Sequence, residues 1–394
     1  MYSKTMYGMG AESSVIRALF AYGMERSAQI GKDKVFDYSL GNPSVPAPKK
    51  VLDTMAKLLQ EKTPLELHGY TAGSGDAATR KAVADDLNER YGCKLGANNF
   101  YLTCGAAAAL KVTMTALFEE GDEALTFAPY FTEYSYFLRT AGYKFTVVGT
   151  EDGTFQPDIA KLDAALNENV KLLLINSPNN PSGVVYTKER LEAVAELLEK
   201  KAAEYGHPIF LISDEPYREL SYEKEVPFVP AIYKNTIVCY SYSKSFSLPG
   251  ERIGYVCVPD EVTEAGNVYL AICGAGRALG YVCAPSLMQF VVKECAGERP
   301  DLTTYIENRD LLYNSLTSMG YECIYPDGAF YLCVKALEDD DKAFSEKAKK
   351  HELLLVPGSE FAAPGYIRAA YCVSTDMIKR SLPAFEALYK EYKG

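Results

Sequence analysis

Residues 170–217, VKLLLINSPNNPSGVVYTKERLEAVAELLEKKAAEYGHPIFLISDEPY, decide the fold. Residues 170–175 form a short apolar run, 188–203 carry a helical pattern, and 208–213 form a second apolar run. A strand, a helix and a strand in that order make the βαβ unit of a parallel sheet covered on both faces. Between strand and helix lies NSPNNPSG, residues 176–183. Its two X-Pro bonds, each a candidate for the cis form, and its asparagines make a rigid loop at the sheet edge, either a plain turn or a holder of amide side chains. Directly after the second run stands Asp214, with Tyr217 three residues on. A carboxylate there is costly unless it meets a cation, such as a protonated ring nitrogen; an N-cap or a structural ion pair is the alternative.

The same alternation extends in both directions. Strand patterns at 100–103, 123–127 and 143–148 alternate with helix patterns from 105, 131–140 and 159–166. Strand patterns at 236–239 and 253–258 follow with no full helix between them, as antiparallel neighbours would. The expected fold is α/β, with a mostly parallel, doubly wound sheet in a large domain at 46–285. Sites in such sheets lie at the carboxyl ends of strands. From 286 to 394 the pattern changes to helices at 286–294, 303–319 and 377–392 and strands at 322–334, 353–356 and 367–372. This reads as a smaller α+β domain, with residues 1–45 packed on it. In the N-terminal part, helix patterns at 15–28, 48–61 and 77–91 surround a strand at 35–40, and Pro64 ends a region before the glycine-rich loop 68–76. The acidic run 338–341 reads as a solvated loop.

Composition narrows the function. The 394 residues are 48% hydrophobic and 24% charged, as in a globular protein, and the net charge of −11 argues against a nucleic-acid or anionic-membrane partner. The ten cysteines form no C-x-x-C pair, which suits reduced thiols in the cytoplasm. His68, His207 and His351 stand alone, so no metal site is expected. Neither a signal segment nor a membrane span is legible.

A second stretch carries chemistry: residues 240–255, YSYSKSFSLPGERIGY. Lys244 lies among Ser241, Ser243 and Ser245, with Arg252 eight residues on. A desolvated lysine can lose its proton near neutral pH and form a Schiff base with a carbonyl. The serines and Arg252 suit a phosphate. An aldehyde carrying a phosphate is pyridoxal phosphate; a solvated lysine in a serine-rich loop is the plain alternative. Gly105, Ala106 and Ala107 open a helix after a strand, where free amides can hold a phosphate. Phe131 lies at a strand end where its ring can stack on another or pack into the core. Arg368 sits inside an apolar strand, a setting that calls for a carboxylate from protein or substrate.

The ordered series GNP, GYTAGSG, GAAAAL, PYFTEY, NNPSG, SDEPY, SYSK-x₇-R and YIRAAY, spanning about residues 40–372, resembles the fold-type I pyridoxal-phosphate aminotransferases of class I/II. The resemblance implies an enzyme that moves an amino group between an L-amino acid and a 2-oxo acid by a ping-pong mechanism. It implies Lys244 as the cofactor-bonding lysine and proton shuttle, and Asp214 as partner of the ring nitrogen. Asn180 and Tyr217 would meet the ring's phenolic oxygen. Ser241, Ser243, Arg252 and the amides of Ala106 and Ala107 would hold the phosphate, and Phe131 would stack on the ring. Tyr70 would reach the phosphate from the other subunit of a homodimer with a shared site. Arg368, with the backbone near Gly41, would bind the substrate α-carboxylate. The phosphate turn departs from many relatives in having alanines for a hydroxyl, and Phe131 stands where Trp or Tyr is common. The anchor for the substrate's far end is not identifiable; Arg277 is either that anchor or an exposed helix arginine. Three other readings compete, one of them a cofactor-binding regulator that has lost catalysis, which the acidic chain and the presence of Lys244 with the full set of cofactor residues disfavour. A carbon–sulfur β-lyase would keep every cofactor residue. Residues 274–280, GAGRALG, match a dinucleotide-binding glycine pattern, but Pro285 soon interrupts any following helix.

Overall fold

The computed structural model describes residues 1–11 and 14–393. Its main sheet has seven strands in the order Phe100–Thr103, Gly254–Cys257, Thr236–Ser241, Phe210–Asp214, Val170–Asn176, Glu123–Phe127 and Lys144–Val148. The last five run parallel. Gly254–Cys257 is antiparallel to both neighbours, including Thr236–Ser241 as expected. Phe100–Thr103 joins the far edge through Gly254–Cys257 rather than pairing with the strand that follows it in sequence.

The βαβ unit of residues 170–217 is the centre of this sheet. Val170–Asn176 and Phe210–Asp214 pair in parallel, with Asn176 opposite Asp214. The helix between them, Lys188–Tyr205, starts where the Thr187 side chain accepts from the Arg190 amide and ends at Gly206, whose φ of 76° is left-handed. Alternate residues of the strand serve different cores. Leu172 and Leu174 pack towards helices Ala106–Leu117 and Ala265–Ala278, while Leu173 and Ile175 pack towards Lys188–Tyr205. Burial on both sides explains the unbroken apolar run.

A second, antiparallel sheet orders Val356–Pro357, Tyr366–Ala370, Tyr331–Lys335 and Cys323–Ile324. It shares a core with helices Thr303–Met319 and Thr375–Lys393. The N-terminal segment lies beside it: Phe36–Asp37 forms a separate two-stranded parallel sheet with Leu353–Leu354, and the Ala370 amide donates to the Tyr38 carbonyl. Helix Ser286–Cys295 instead packs with Lys49–Glu61 and Ala77–Tyr91 beside the main sheet.

Several local expectations change. Pro64 begins a helix, Pro64–His68, because Thr63 and Glu66 form a capping box and proline suits a first turn. Asp341 is buried, not solvated: it accepts from the amides of Ser359 (2.8 Å) and Gly365 (3.1 Å), while Asp340 caps helix Asp341–Lys349. The strand pattern at 322–334 is two strands around a turn in which Ala329 has φ 56°. The glycine pattern at 274–280 lies largely inside helix Ala265–Ala278, so no strand-to-helix turn exists there to bind a dinucleotide. Gly276 lets that helix approach the Tyr101 hydroxyl, which a Cβ would strike. Among the described residues, no helix is long and apolar enough to cross a membrane.

Candidate active site

The carboxyl ends of the central strands open into a cavity of about 350 Å³, within the range of small-ligand sites. Its lining includes Lys244, Asp214, Asn180, Arg368, Arg252 and Phe131. Sheet register explains the gathering: Asn176 lies opposite Asp214, and Asp214 opposite Cys239, two residues before Ser241. The Asn176 side chain donates to the Asp214 carbonyl (2.8 Å) and accepts from the Asn180 amide (2.7 Å), fixing the loop to the strand end. Three peptide bonds around the site are cis: Ala128–Pro129, Ser177–Pro178 and Asn180–Pro181.

Lys244 lies in a short helical turn, Tyr242–Ser245, that Ser241 caps by accepting from the Ser243 amide. Its Nζ donates to the Gly41 carbonyl (2.8 Å) and lies 5.2 Å from the Phe330 ring centre. Burial is the main reason its pKa is pushed down to about 8, with Arg368 and Arg252 adding like-charge repulsion. Asp214 is pushed the other way, up to about 7, by burial first and by Glu215 in addition. The Tyr134 hydroxyl opposes that rise by donating to Asp214 Oδ2 (2.5 Å). Asp214 Oδ1 is buried and has no partner among the described residues.

Arg368 is also buried. Its guanidinium donates to Asn180 Oδ1 (3.0 Å) and the Ser39 carbonyl (2.5 Å) and lies over the Tyr331 and Phe361 rings. Among the described residues it meets no carboxylate, and its Nε is unpartnered. Tyr217 shares a hydroxyl hydrogen bond with Tyr331 (2.8 Å). At the opposite wall, Gly105 holds φ 86° ahead of helix Ala106–Leu117. A Cβ there would lie 2.7 Å from Arg252 Nη2, so glycine keeps the guanidinium beside the helix start. Arg252 donates to the carbonyls of Pro249 and Cys104, and the Ser241 and Ser243 hydroxyls meet at 2.6 Å. The first amides of a helix lack intrahelical acceptors, so Ala106 and Ala107 present free donors to the cavity.

A sequence profile described as aminotransferase class I and II matches residues 33–385. The chain belongs to the class I and II aminotransferase family. The aspartate/prephenate aminotransferase of Thermus thermophilus is 31% identical over 360 residues, 88% of each chain. The aspartate aminotransferase of Thermotoga maritima is 29% identical, covering 90% of this chain and 91% of that protein. A crystal structure of an aminotransferase from Eubacterium rectale superposes over the whole of both chains with TM-score 0.98 and 52% identity. The Thermus aspartate aminotransferase, solved with maleate, gives TM-score 0.85 at 27% identity, over 98% of this chain and 100% of that one. The protein is therefore a transaminase that uses pyridoxal phosphate, and the relatives' names favour amino-group transfer over carbon–sulfur elimination.

The cavity of this aminotransferase fits that cofactor. A buried, unpartnered carboxylate oxygen on Asp214 suits a ring cation. A lysine with a lowered pKa suits an aldehyde, and the hydroxyls, free amides and Arg252 suit a phosphate. Of the residues anticipated from sequence, Lys244, Asp214, Tyr217, Asn180, Ser241, Ser243, Arg252, Ala106, Ala107, Phe131, Arg368 and Gly41 all line this one cavity. Tyr70 does not; it is 88% exposed on another face. Arg277 lies in a separate depression with Gly73, Tyr101 and Tyr269. Sequence reasoning missed Tyr134, Asn176 and Tyr331. Tyr134 was within reach, since it stands three residues after Phe131, about one helical turn on. Tyr331 had no local signal.

Proposed function

We propose that this aminotransferase takes an α-amino acid by its carboxylate at Arg368 and moves the α-proton with the Lys244 amine. The observation that carries this reading is a buried arginine without a protein carboxylate, in one cavity with a lysine of lowered pKa and an aspartate of raised pKa. When bound, pyridoxal phosphate supplies an aldehyde for amines and a ring that accepts electrons from the substrate carbon. Lys244, neutral above about pH 8, accepts a proton at Nζ and returns it at an adjacent carbon. Asp214 would keep the ring nitrogen protonated, and the Tyr134 hydroxyl favours the ionised form of Asp214 by donating to it. Ser241, Ser243, Arg252 and the amides of Ala106 and Ala107 would hold the phosphate, Asn180 and Tyr217 would orient the ring, and Phe131 would stack on it.

The molecule works as a homodimer in this reading, with Tyr70 completing the partner's site. The support is a set of exposed apolar side chains: Leu65 (88% exposed), which lines a depression with Tyr70, together with Leu270 (67%) and Val282 (65%). The ten cysteines are all unpaired, which suits the cytoplasm. Because two of the relatives are named for aspartate, L-aspartate with 2-oxoglutarate is the first pair to assay. The test is the absorbance of the holoenzyme during half-reactions with a panel of amino acids and recovery with 2-oxo acids. Parallel double-reciprocal plots are expected. Full transamination by Lys244→Ala would refute the assigned base.

A further inference from the structure

Four cationic side chains line the cavity: Arg17, Lys244, Arg252 and Arg368. Three are committed. Lys244 donates to the Gly41 carbonyl, Arg252 to two carbonyls, and Arg368 to Asn180 and Ser39. Arg17 is exposed and has no hydrogen bond, ion pair or ring contact among the described residues. It stands on helix Val15–Ile30, which is fastened elsewhere. Leu19 is buried against Val356 and Phe361, Gly23 fits against Leu354 and Asp37, and Arg26 pairs with Glu352 at 2.5 Å. Those anchors, at positions 19, 23 and 26, form one helical stripe, and Arg17 lies off it. A rigidly held helix thus brings an uncommitted guanidinium to a rim that also includes Ile16, Leu40 and Phe131.

We propose that Arg17 is a specificity-determining residue whose guanidinium binds an acidic group at the far end of the amino-acid substrate. This rests on the reading of Arg368 as the α-carboxylate anchor. With Arg252 assigned to the phosphate and Lys244 to proton transfer, Arg17 and Arg368 remain to match a substrate with two acidic ends. Arginine suits the task because its planar fork meets a carboxylate bidentately. Glu133 also lines the cavity and has no ion pair among the described residues. It repels an acidic substrate, so discrimination depends on Arg17 outweighing it. Arg277 lies in a different depression of the same chain, so it does not supply this charge within one subunit.

The experiment compares L-aspartate, L-glutamate and L-2-aminoadipate with L-asparagine and L-glutamine, using holoenzyme in the wild type, Arg17→Gln, Arg17→Lys, Glu133→Gln and Arg277→Gln. Arg17→Gln should lower kcat/KM for the acidic amino acids about 10-fold or more and change the amides less than about 3-fold. Arg17→Lys should recover part of the loss, and Glu133→Gln should favour the acidic substrates. Maleate, a dicarboxylate that carries no amino group, should bind the Arg17→Gln holoenzyme about 10-fold more weakly by calorimetry, with acetate unaffected. Equal losses for acidic and amide substrates would overturn the proposal. So would Glu133→Gln reproducing the Arg17→Gln loss, which would make the arginine a closing partner for Glu133. The selective loss appearing in Arg277→Gln instead would assign the role to a second subunit. If the wild type transfers an amino group from no amino acid, the proposed function itself fails, an outcome separable from all of these.

Discussion

Burial shifts Asp214 and Lys244 each towards the neutral form, and this has measurable consequences in the cofactor-free protein. The folded pKa of Asp214, about 7, lies above its ordinary value of 3.8, so between those values the native state binds more protons than the unfolded one. Its contribution to stability therefore falls as pH rises from about 4 to about 7. Asp214→Asn should flatten that fall and raise the melting temperature of the cofactor-free protein at pH 7.5, by roughly 1–4 kcal/mol of stability. The same change should cost roughly 100-fold or more in transamination. A melting temperature that drops on this substitution would contradict the cost assigned to the buried carboxylate. For Lys244 the folded value near 8 lies below 10.5, so its contribution rises with pH across that window. Labelling of Lys244 by an amine-specific reagent should titrate with a midpoint near 8. Removing the Tyr134 hydroxyl takes away a bond that lowers the Asp214 pKa. Tyr134→Phe should therefore move the acid limb of the kcat/KM profile to higher pH, and an unmoved limb would reduce Tyr134 to packing.

The strands that carry these residues are braced from behind by a buried ionic cluster. Arg218 donates to Glu215 Oε2 (2.6 Å) and the Tyr255 hydroxyl (2.9 Å). Glu219 accepts from the Tyr240 hydroxyl (2.6 Å), which also meets Ser245 Oγ (2.8 Å), next to Lys244. Arg218→Met leaves Glu215 charged and buried, so urea unfolding should show a loss of about 3–5 kcal/mol. Adding Glu215→Gln should recover part of it, and an additive double variant would show that the two residues are not coupled. Helix Ala265–Ala278 makes a different demand. Gly276→Ala places a methyl group against the Tyr101 hydroxyl, and a loss of about 1–3 kcal/mol is expected. Tyr101→Phe removes the struck atom and should restore most of the stability; no rescue would mean that the strain lies elsewhere.

Over the whole molecule, the segment around residues 36–41 ties the two sheets together at the site. Phe36–Asp37 pairs with Leu353–Leu354, the Ser39 carbonyl accepts from Arg368, and the Gly41 carbonyl accepts from Lys244. Leu65, Tyr70, Leu270 and Val282 are large, exposed side chains in the single chain. Sedimentation should give twice the chain's mass. Leu270→Asp should shift it towards the monomer, with loss of activity even though that residue is outside the cavity. A fully active monomer would end the shared-site proposal.

Much of this was legible in local sequence because it depends on local rules. The apolar runs at 170–175 and 208–213 around a helical pattern require a covered parallel sheet, and the residues after such strands fall at one edge of it. That is why Lys244, Asp214, Asn180 and Arg252 were identifiable from their positions along the chain. The buried setting of Arg368 was likewise foreseeable from an arginine inside an apolar strand. Contacts between distant segments were not. Pairing of Phe100–Thr103 with Gly254–Cys257, Tyr331 against Tyr217, burial of Asp341 under two amides, and Arg17 at the rim join residues separated by tens to hundreds of positions. No periodicity records those meetings. The sequence by itself determined which side chains end the strands and hence the chemistry at the cavity floor. Only the tertiary structure decided which charges there are already satisfied, because satisfaction depends on packing in three dimensions and leaves no pattern along the chain.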